Sequence, residues 1–230
     1  MTRTLSKPVL RSRAEEPRAA TTKGEETRRE ILDQALRLAS ELGVAGLSIG
    51  TLASRVGMSK SGLFAHFSSK DNLQVAVIED ASRRFIEMVV APALRERRGE
   101  PRVRALLHGW LDWSQQDFMP CGCVFMAAAA ELDDRPGPAR DRLVANQRDW
   151  LDTLAGAARI ALREGHFRVD LDPEQFAFEA LGAFASYAFY TRLLRATDAR
   201  ERVRAAFDRL LGDARGPRHK TRVGGVPKPS

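Results

Sequence analysis

The chain of 230 residues is predicted to be all-α, with an N-terminal three-helix unit followed by a larger helical unit, and three observations predict it. Alanine, leucine and arginine dominate and β-branched runs are absent, which favours helix over strand. Apolar residues recur at helical spacing along most of the length, the mark of segments that bury one stripe. Breaks at Gly43, Gly57, Gly99 to Pro101 and Asp170 to Pro173 divide that pattern into pieces of helical length. With 43% hydrophobic residues the chain can build one small and one medium core.

In chain order, residues 1–24 are rich in Thr, Ser, Arg and Pro without apolar period and are expected to form a disordered basic arm. Glu25 to Leu42 is the first helix: Ile31, Ala35, Leu38 and Leu42 share a stripe, Glu25 and Glu26 suit the positive end of the helix dipole, and Gly43 ends it. Leu47 to Lys70 then reads as two short helices around a tight turn. Ile49, Leu52, Ala53 and Val56 give the first one apolar stripe, and Ser48 is placed as its N-cap. Gly57 stops that helix, Met58 plugs the turn, Ser59 caps the next helix, and Leu63 and Phe67 bury its inner side. Lys60, Ser61, Gly62, Phe64 and Ala65 are left facing outward. A short helix with small and polar residues on its first turn is what a DNA major groove admits.

Charge points the same way. No acidic residue lies between Glu41 and Asp71, while Arg55, Lys60 and Lys70 are basic. The chain uses Arg 31 times and Lys six times, and the only lysines between residues 25 and 212 are Lys60 and Lys70. Lysine is a compact point charge suited to a phosphate oxygen. Overall charge is less informative: of the net +7 and pI near 10.0, the two terminal stretches carry +8, so residues 25–212 come to about −1.

The run Gly57-Met58-Ser59-Lys60-Ser61-Gly62-Leu63-Phe64-Ala65-His66-Phe67-Ser68-Ser69-Lys70, followed by Asp71-Asn72-Leu73, resembles the signature of the TetR/AcrR family of bacterial transcription regulators. The likeness runs without a gap from about Thr27 to Leu73. It implies a ligand-responsive repressor that binds a palindromic operator as a homodimer. Ser48 and Thr51 would then touch backbone phosphate. Lys60, Ser61 and Gly62 would approach base edges, with Ser59 at the cap of their helix counted among the DNA-binding residues, Phe64, Ala65 and His66 flanking them, and Lys70 neutralising a phosphate. The family usually carries Tyr where this chain has Phe64, so one phenolic hydroxyl is absent.

Residues 25–70 are therefore read as the helix-turn-helix domain and 71–212 as a ligand-binding and dimerisation domain. A long helix is expected from Asp71 to about Leu94, with Leu73, Val77, Phe85, Met88 and Val89 inward, and another from Arg102 to Asp117. Pro120-Cys121-Gly122-Cys123 reads as small residues packed before a helix over Val124 to Leu132. With two cysteines one residue apart and no histidine at ligand spacing, neither a metal site nor a disulfide framework is expected. Ala139 to Gly165 is the next helix, and Asp172 with Pro173 opens one that runs to Arg195. That helix is apolar on more than one face. With Ala199 to Leu211 it is expected to form a dimer bundle, and Phe178, Phe189, Phe207 and Leu211 are the interface candidates. Residues 213–230 are expected to be a disordered basic tail.

Trp110, Trp113, Phe125, Met126, Trp150, Phe184 and Tyr187 are the candidate lining of an apolar pocket for a small, largely apolar effector. No cofactor is called for. The chain shows no Gly-rich phosphate loop, no Ser-His-Asp order and no paired carboxylates, so a regulator is favoured over an enzyme and over a purely structural helical protein. The absence of an apolar leader or of a long uncharged apolar run fits a cytoplasmic location and no membrane partner.

Overall fold

The structure is a computed structural model that describes residues 23–215; of the arm expected over 1–24 and the tail expected over 213–230, residues 1–22 and 216–230 lie outside the described residues, while Lys23 and Gly24 belong to the first helix. Among the described residues every regular element is helical. The first is α1, Lys23–Leu42, whose stripe of Ile31, Leu32, Ala35, Leu38 and Ala39 is buried. Helix α2, Ile49–Val56, and helix α3, Lys60–Phe67, pack against α1 and one another. With the preceding loop they contribute Leu47, Leu52, Ala53, Leu63 and Phe67 to a core that continues into the larger unit.

The long connecting helix differs from its sequence-based outline. It runs as α4, Lys70–Phe85, through a π-helical turn at Ile86–Val90 and on into α5, Ala91–Arg95. A π turn inserts a residue into the helical repeat and rotates the positions after it. Leu73, Val77, Phe85 and Val89 are buried as expected, but Met88 is 40% exposed.

The larger unit adds α6, Glu100–Trp113; α7, Val124–Leu132; α8, Pro138–Arg163; α9, Pro173–Arg192; and α10, Ala199–Arg215. Helix α6 stops a turn before Asp117 because Ser114 Oγ donates to Leu111 O (2.7 Å) and the chain folds into a turn closed by Met119 N–H to Gln116 O (2.8 Å). Helix α10 runs three residues past Gly212. Ala214 there is buried, its carbonyl accepts from Arg168 N–H (2.8 Å), and Arg215 Nε donates to Glu100 Oε2 (2.7 Å). Helix α8 is the hub, packed against α4, α6, α7 and α9, while α10 closes over α9.

Among the contacts that join the units, two seams lie along α1. Asp80 on α4 is buried and pairs with Arg83 and Arg84, and Arg84 also reaches Asp33 on α1. The loop after α6 is held to α1 by Arg37 Nη1 donating to Asp117 O (2.9 Å) and by Cys121 N–H donating to Ser40 Oγ (2.9 Å). Among the described residues no helix is long and apolar enough to cross a membrane.

Candidate nucleic-acid interface

Local sequence builds the α2–turn–α3 unit almost unaided. Ser48 Oγ accepts from Thr51 N–H (3.1 Å) and Ser48 N–H donates to Thr51 Oγ1 (3.1 Å), a reciprocal cap that satisfies two amides at the start of α2. Gly57 ends α2 with φ 67°, a left-handed conformation that a side chain would strain. Ser59 Oγ then accepts from Gly62 N–H and contacts Ser61 Oγ (both 3.1 Å), so α3 starts at Lys60. Leu63 and Phe67 point into the core. Lys60, Ser61, Phe64 and Ala65 face out, Phe64 with 54% of its surface exposed, while Gly62 and His66 are half-buried.

The polar side chains of this surface are held from behind. Thr51 Oγ1 also donates to Ser48 O, so the two cap hydroxyls lock each other. The Lys60 stem lies beside Gly50 of α2, which brings its ammonium close to the start of that helix. Arg55 pairs with Glu41 of α1 (3.2 Å), which offsets part of the positive charge counted for this stretch. Lys70 Nζ donates to Ala45 O (2.9 Å) in the α1–α2 corner, at the start of α4, where Ser69 Oγ caps Asn72 N–H (3.0 Å). An ammonium has three donors, so this bond leaves others for an outside acceptor.

Two contributors to this surface went unrecognised at the level of sequence. Arg28 of α1 donates to His66 O (3.0 Å) and lies over the Phe67 ring (4.7 Å), pinning the C-terminal end of α3. It lies in line with the buried stripe, seven residues before Ala35, but a charged residue there gave no signal of which segment it meets. Glu131 of α7 accepts from Ala45 N–H (2.9 Å), a contact spanning 86 residues that no spacing rule reveals.

In the larger unit, six of the seven candidate lining residues form one buried aromatic cluster, and Met126 is half-buried beside it. Trp110 stacks on Phe184 (3.9 Å between centroids), Trp150 stands edge-on to Phe85 (4.8 Å) and Trp110 (5.1 Å), and Trp113 lies against Phe85 and Phe125. The space left among Phe85, Trp110, Phe125, Met126 and Trp150 is about 10 Å³, room for one water. One wall is polar: Gln147 donates to Asn146, Asn146 to Ser82 Oγ, and Ser82 Oγ to Ile78 O. Trp150 Nε1 is buried without an acceptor. A wider groove of about 590 Å³ opens between the end of α1, the 114–122 loop and the end of α9, and Tyr187 alone of the seven candidates borders it. Cys123, the residue before α7, is buried, and burial pushes its thiol pKa up, the direction expected of a packed cysteine. Cys121 is exposed, and no group of three or more metal-type side chains gathers among the described residues.

The four interface candidates separate. Phe178 and Phe189 are 68% and 52% exposed on one face of α9, with Gly182, Ala185 and Ser186 between them and Leu193 beyond. Phe207 and Leu211, expected at the same interface, lie instead in the core of their own chain, 1% and 0% exposed. The apolar stripe of α10 is consumed by packing on α9 and α6, which leaves its outer side to charged residues.

Comparison with known proteins fits this layout. Residues 31–77 match the family described as bacterial regulatory proteins, tetR family, and residues 99–207 match the tetracyclin repressor-like C-terminal domain. Among curated proteins, the HTH-type transcriptional repressor AcnR of Corynebacterium diphtheriae is 34% identical over 84 residues, 36% of this chain and 44% of that one. The HTH-type transcriptional regulator AcrR of Shigella flexneri is 39% identical over 56 residues, 24% of this chain and 26% of that one. The chain thus spans less than half the length of these curated relatives. A TetR transcriptional regulator from Chloroflexus aurantiacus has a similar solved structure, with a TM-score of 0.73 at 24% identity over 83% of this chain and 94% of that one.

Proposed function

We propose, from the premise that this chain belongs to the tetR family of bacterial regulatory proteins, that it is a repressor that binds a palindromic operator as a homodimer and is released by a small, largely apolar effector. Family membership makes it a DNA-binding transcriptional regulator, and a regulatory rather than catalytic role follows from that. One observation carries the finer reading: α3 presents Lys60, Ser61, Phe64 and Ala65 outward from a scaffold whose caps and core are complete without them.

In the proposed complex the first turn of α3 enters the major groove. Lys60, Ser61 and Gly62 meet base edges, Ser59 supports them from the cap, and Phe64, Ala65 and His66 fill the flank. Ser48 and Thr51 at the start of α2, and Lys70 at the start of α4, take backbone phosphates, where helix amides add to the attraction. Residues 25–70 act as the reader and 71–212 as the sensing and pairing unit. Pairing uses the α9 face of Phe178 and Phe189, since the small residues between them let a second helix approach closely. The effector enters the cluster of Trp110, Trp113, Phe125, Met126, Trp150, Phe184 and Tyr187, which must part to admit it, given the small space there now. No cofactor and no membrane enter this scheme, and the cytoplasm is the compartment where it operates.

The test is retardation of a random-sequence duplex and of a duplex selected from a random pool, each across a salt series. A repressor of this kind binds the selected duplex at least about a thousandfold more tightly and loses affinity for both as salt rises. Equal affinity for the two duplexes, or none for either, refutes the reading.

A further inference from the structure

The α1–α2 corner, residues 43–46, is gripped from two directions. From α4, Lys70 Nζ donates to Ala45 O (2.9 Å) and Gln74 Nε2 donates to Val44 O (2.7 Å). From α7, the Glu131 carboxylate accepts from Ala45 N–H (2.9 Å). The carboxylate sits so close that a Cβ at Gly43, where φ is 81°, would lie 2.1 Å from Glu131 Oε1. Glycine at 43 therefore serves the approach of Glu131 as well as the left-handed turn that ends α1. One peptide group, Ala45, is thus held by the larger unit at its N–H and by the base of the linking helix at its carbonyl. Three residues later the chain reaches Ser48, the cap of α2.

The other end of α7 borders the aromatic cluster. Phe125 packs edge-on against Phe85 and in parallel with Trp113, and Met126 lines the small space beside Trp150. Phe125 and Glu131 share one helix of nine residues, short enough to move as a rigid rod. A displacement of Phe125 of the size needed to admit a ligand therefore reaches Glu131 with little loss, and Glu131 is fastened to the corner that positions α2 and Lys70.

We propose that Glu131 is a positioning residue for DNA reading: its bond to Ala45 transmits the packing state of the aromatic cluster, through α7, to the start of α2 and to Lys70. This rests on the DNA-binding function proposed above. It adds a defined connection between the two units, distinct from the Asp33–Arg84–Asp80 seam.

The test combines Glu131→Ala, Glu131→Gln and Phe125→Leu. Amide hydrogen exchange at Ala45 is read by NMR, and binding is measured to the duplex selected from a random pool by the wild-type protein. Glu131→Gln keeps an acceptor oxygen, so it should retain Ala45 protection and bind within about twofold of wild type, whereas Glu131→Ala should lose protection and bind about tenfold more weakly. Phe125→Leu should change affinity severalfold in the wild-type background and have no effect on top of Glu131→Ala. A rescue by Gln combined with that lack of additivity is a result that a merely structural capping role would not produce. Unchanged Ala45 exchange in Glu131→Ala overturns the latch. Additive effects of the two substitutions, or no effect of Phe125→Leu in either background, overturn the transmission. If wild-type protein selects no duplex, the regulator reading fails, while Ala45 exchange still decides whether the latch exists.

Discussion

Phe189 and Phe207 look alike in the sequence, each an aromatic residue on an apolar stripe near the end of the chain, yet their environments assign them opposite phenotypes. Phe178 and Phe189, at 68% and 52% exposure, together leave a little more than one whole phenylalanine side chain uncovered per chain. A two-fold axis doubles this, and at about 2 kcal/mol for each fully buried side chain the pair of aromatics supplies roughly 5 kcal/mol to dimerisation. Phe189→Asp removes about half of that and sets two carboxylates in the buried seam, so the dimer dissociation constant should rise by at least about three powers of ten. Helix content should not change, because the side chain supports little within its own chain. Phe207→Ala should do the reverse. At 1% exposure it empties a packed site between α9 and α10 and should cost about 3–5 kcal/mol of fold stability. Sedimentation velocity at micromolar concentration together with far-UV circular dichroism and thermal melting separates the two. A dimeric Phe189→Asp protein, or a Phe189→Asp protein that has lost helix, refutes the assignment of this face.

Lys60→Ala should cost about 1–3 kcal/mol per half-site and relax base preference at one operator position. Lys70→Ala should weaken binding to selected and random duplexes alike and lower the salt slope by about 0.9 per site; titration of both duplexes with each variant checks the distinction, and identical behaviour of the two variants would contradict it. Gly57→Ala, at φ 67°, should lower the melting temperature through about 1–2 kcal/mol of left-handed strain, a smaller shift signalling that the turn can readjust. The Arg215 hydrogen bond, helped by Arg104, holds the Glu100 carboxyl below its ordinary pKa of 4.5, so its contribution is present above that value and is lost as pH falls through the lowered one. His108 is held below its ordinary 6.5, first by burial and then by Arg104 and Arg204, so the unfolded chain gains its proton first and stability begins to fall below that pH. Melting temperature measured from pH 7 to pH 4 should fall, and Glu100→Gln should flatten the lower part of the fall; a parallel curve in that variant would remove Glu100 as a cause.

The α2–turn–α3 unit was legible in the sequence because its determinants are local. Ser48 with Thr51, Gly57 and Ser59 with Gly62 each act over three residues or fewer, and the caps form where those residue types at those spacings allow. The helical identity of the remaining elements was equally plain, since a period of 3.6 is a property of neighbours along the chain. What lay beyond reach was which of two apolar faces a helix buries. Phe189 and Phe207 fit the same periodic pattern, and only the packing of α10 onto α9 and α6 turned one outward and one inward. Met88 shows the same limit, because a π turn that re-phases a helix leaves no mark in its hydrophobic pattern. The aromatic residues of the larger unit were recognisable as a set, but the size of the space among them depends on ring orientations set by four helices together. The clasp on Ala45 is the extreme case: Lys70 and Glu131 meet one peptide from 25 and 86 residues away. Local sequence determined the caps, turns and helical stripes of this protein, and tertiary structure alone decided which stripe stays exposed and which carboxylate holds the α1–α2 corner, because those outcomes depend on distances between segments that the order of residues does not encode.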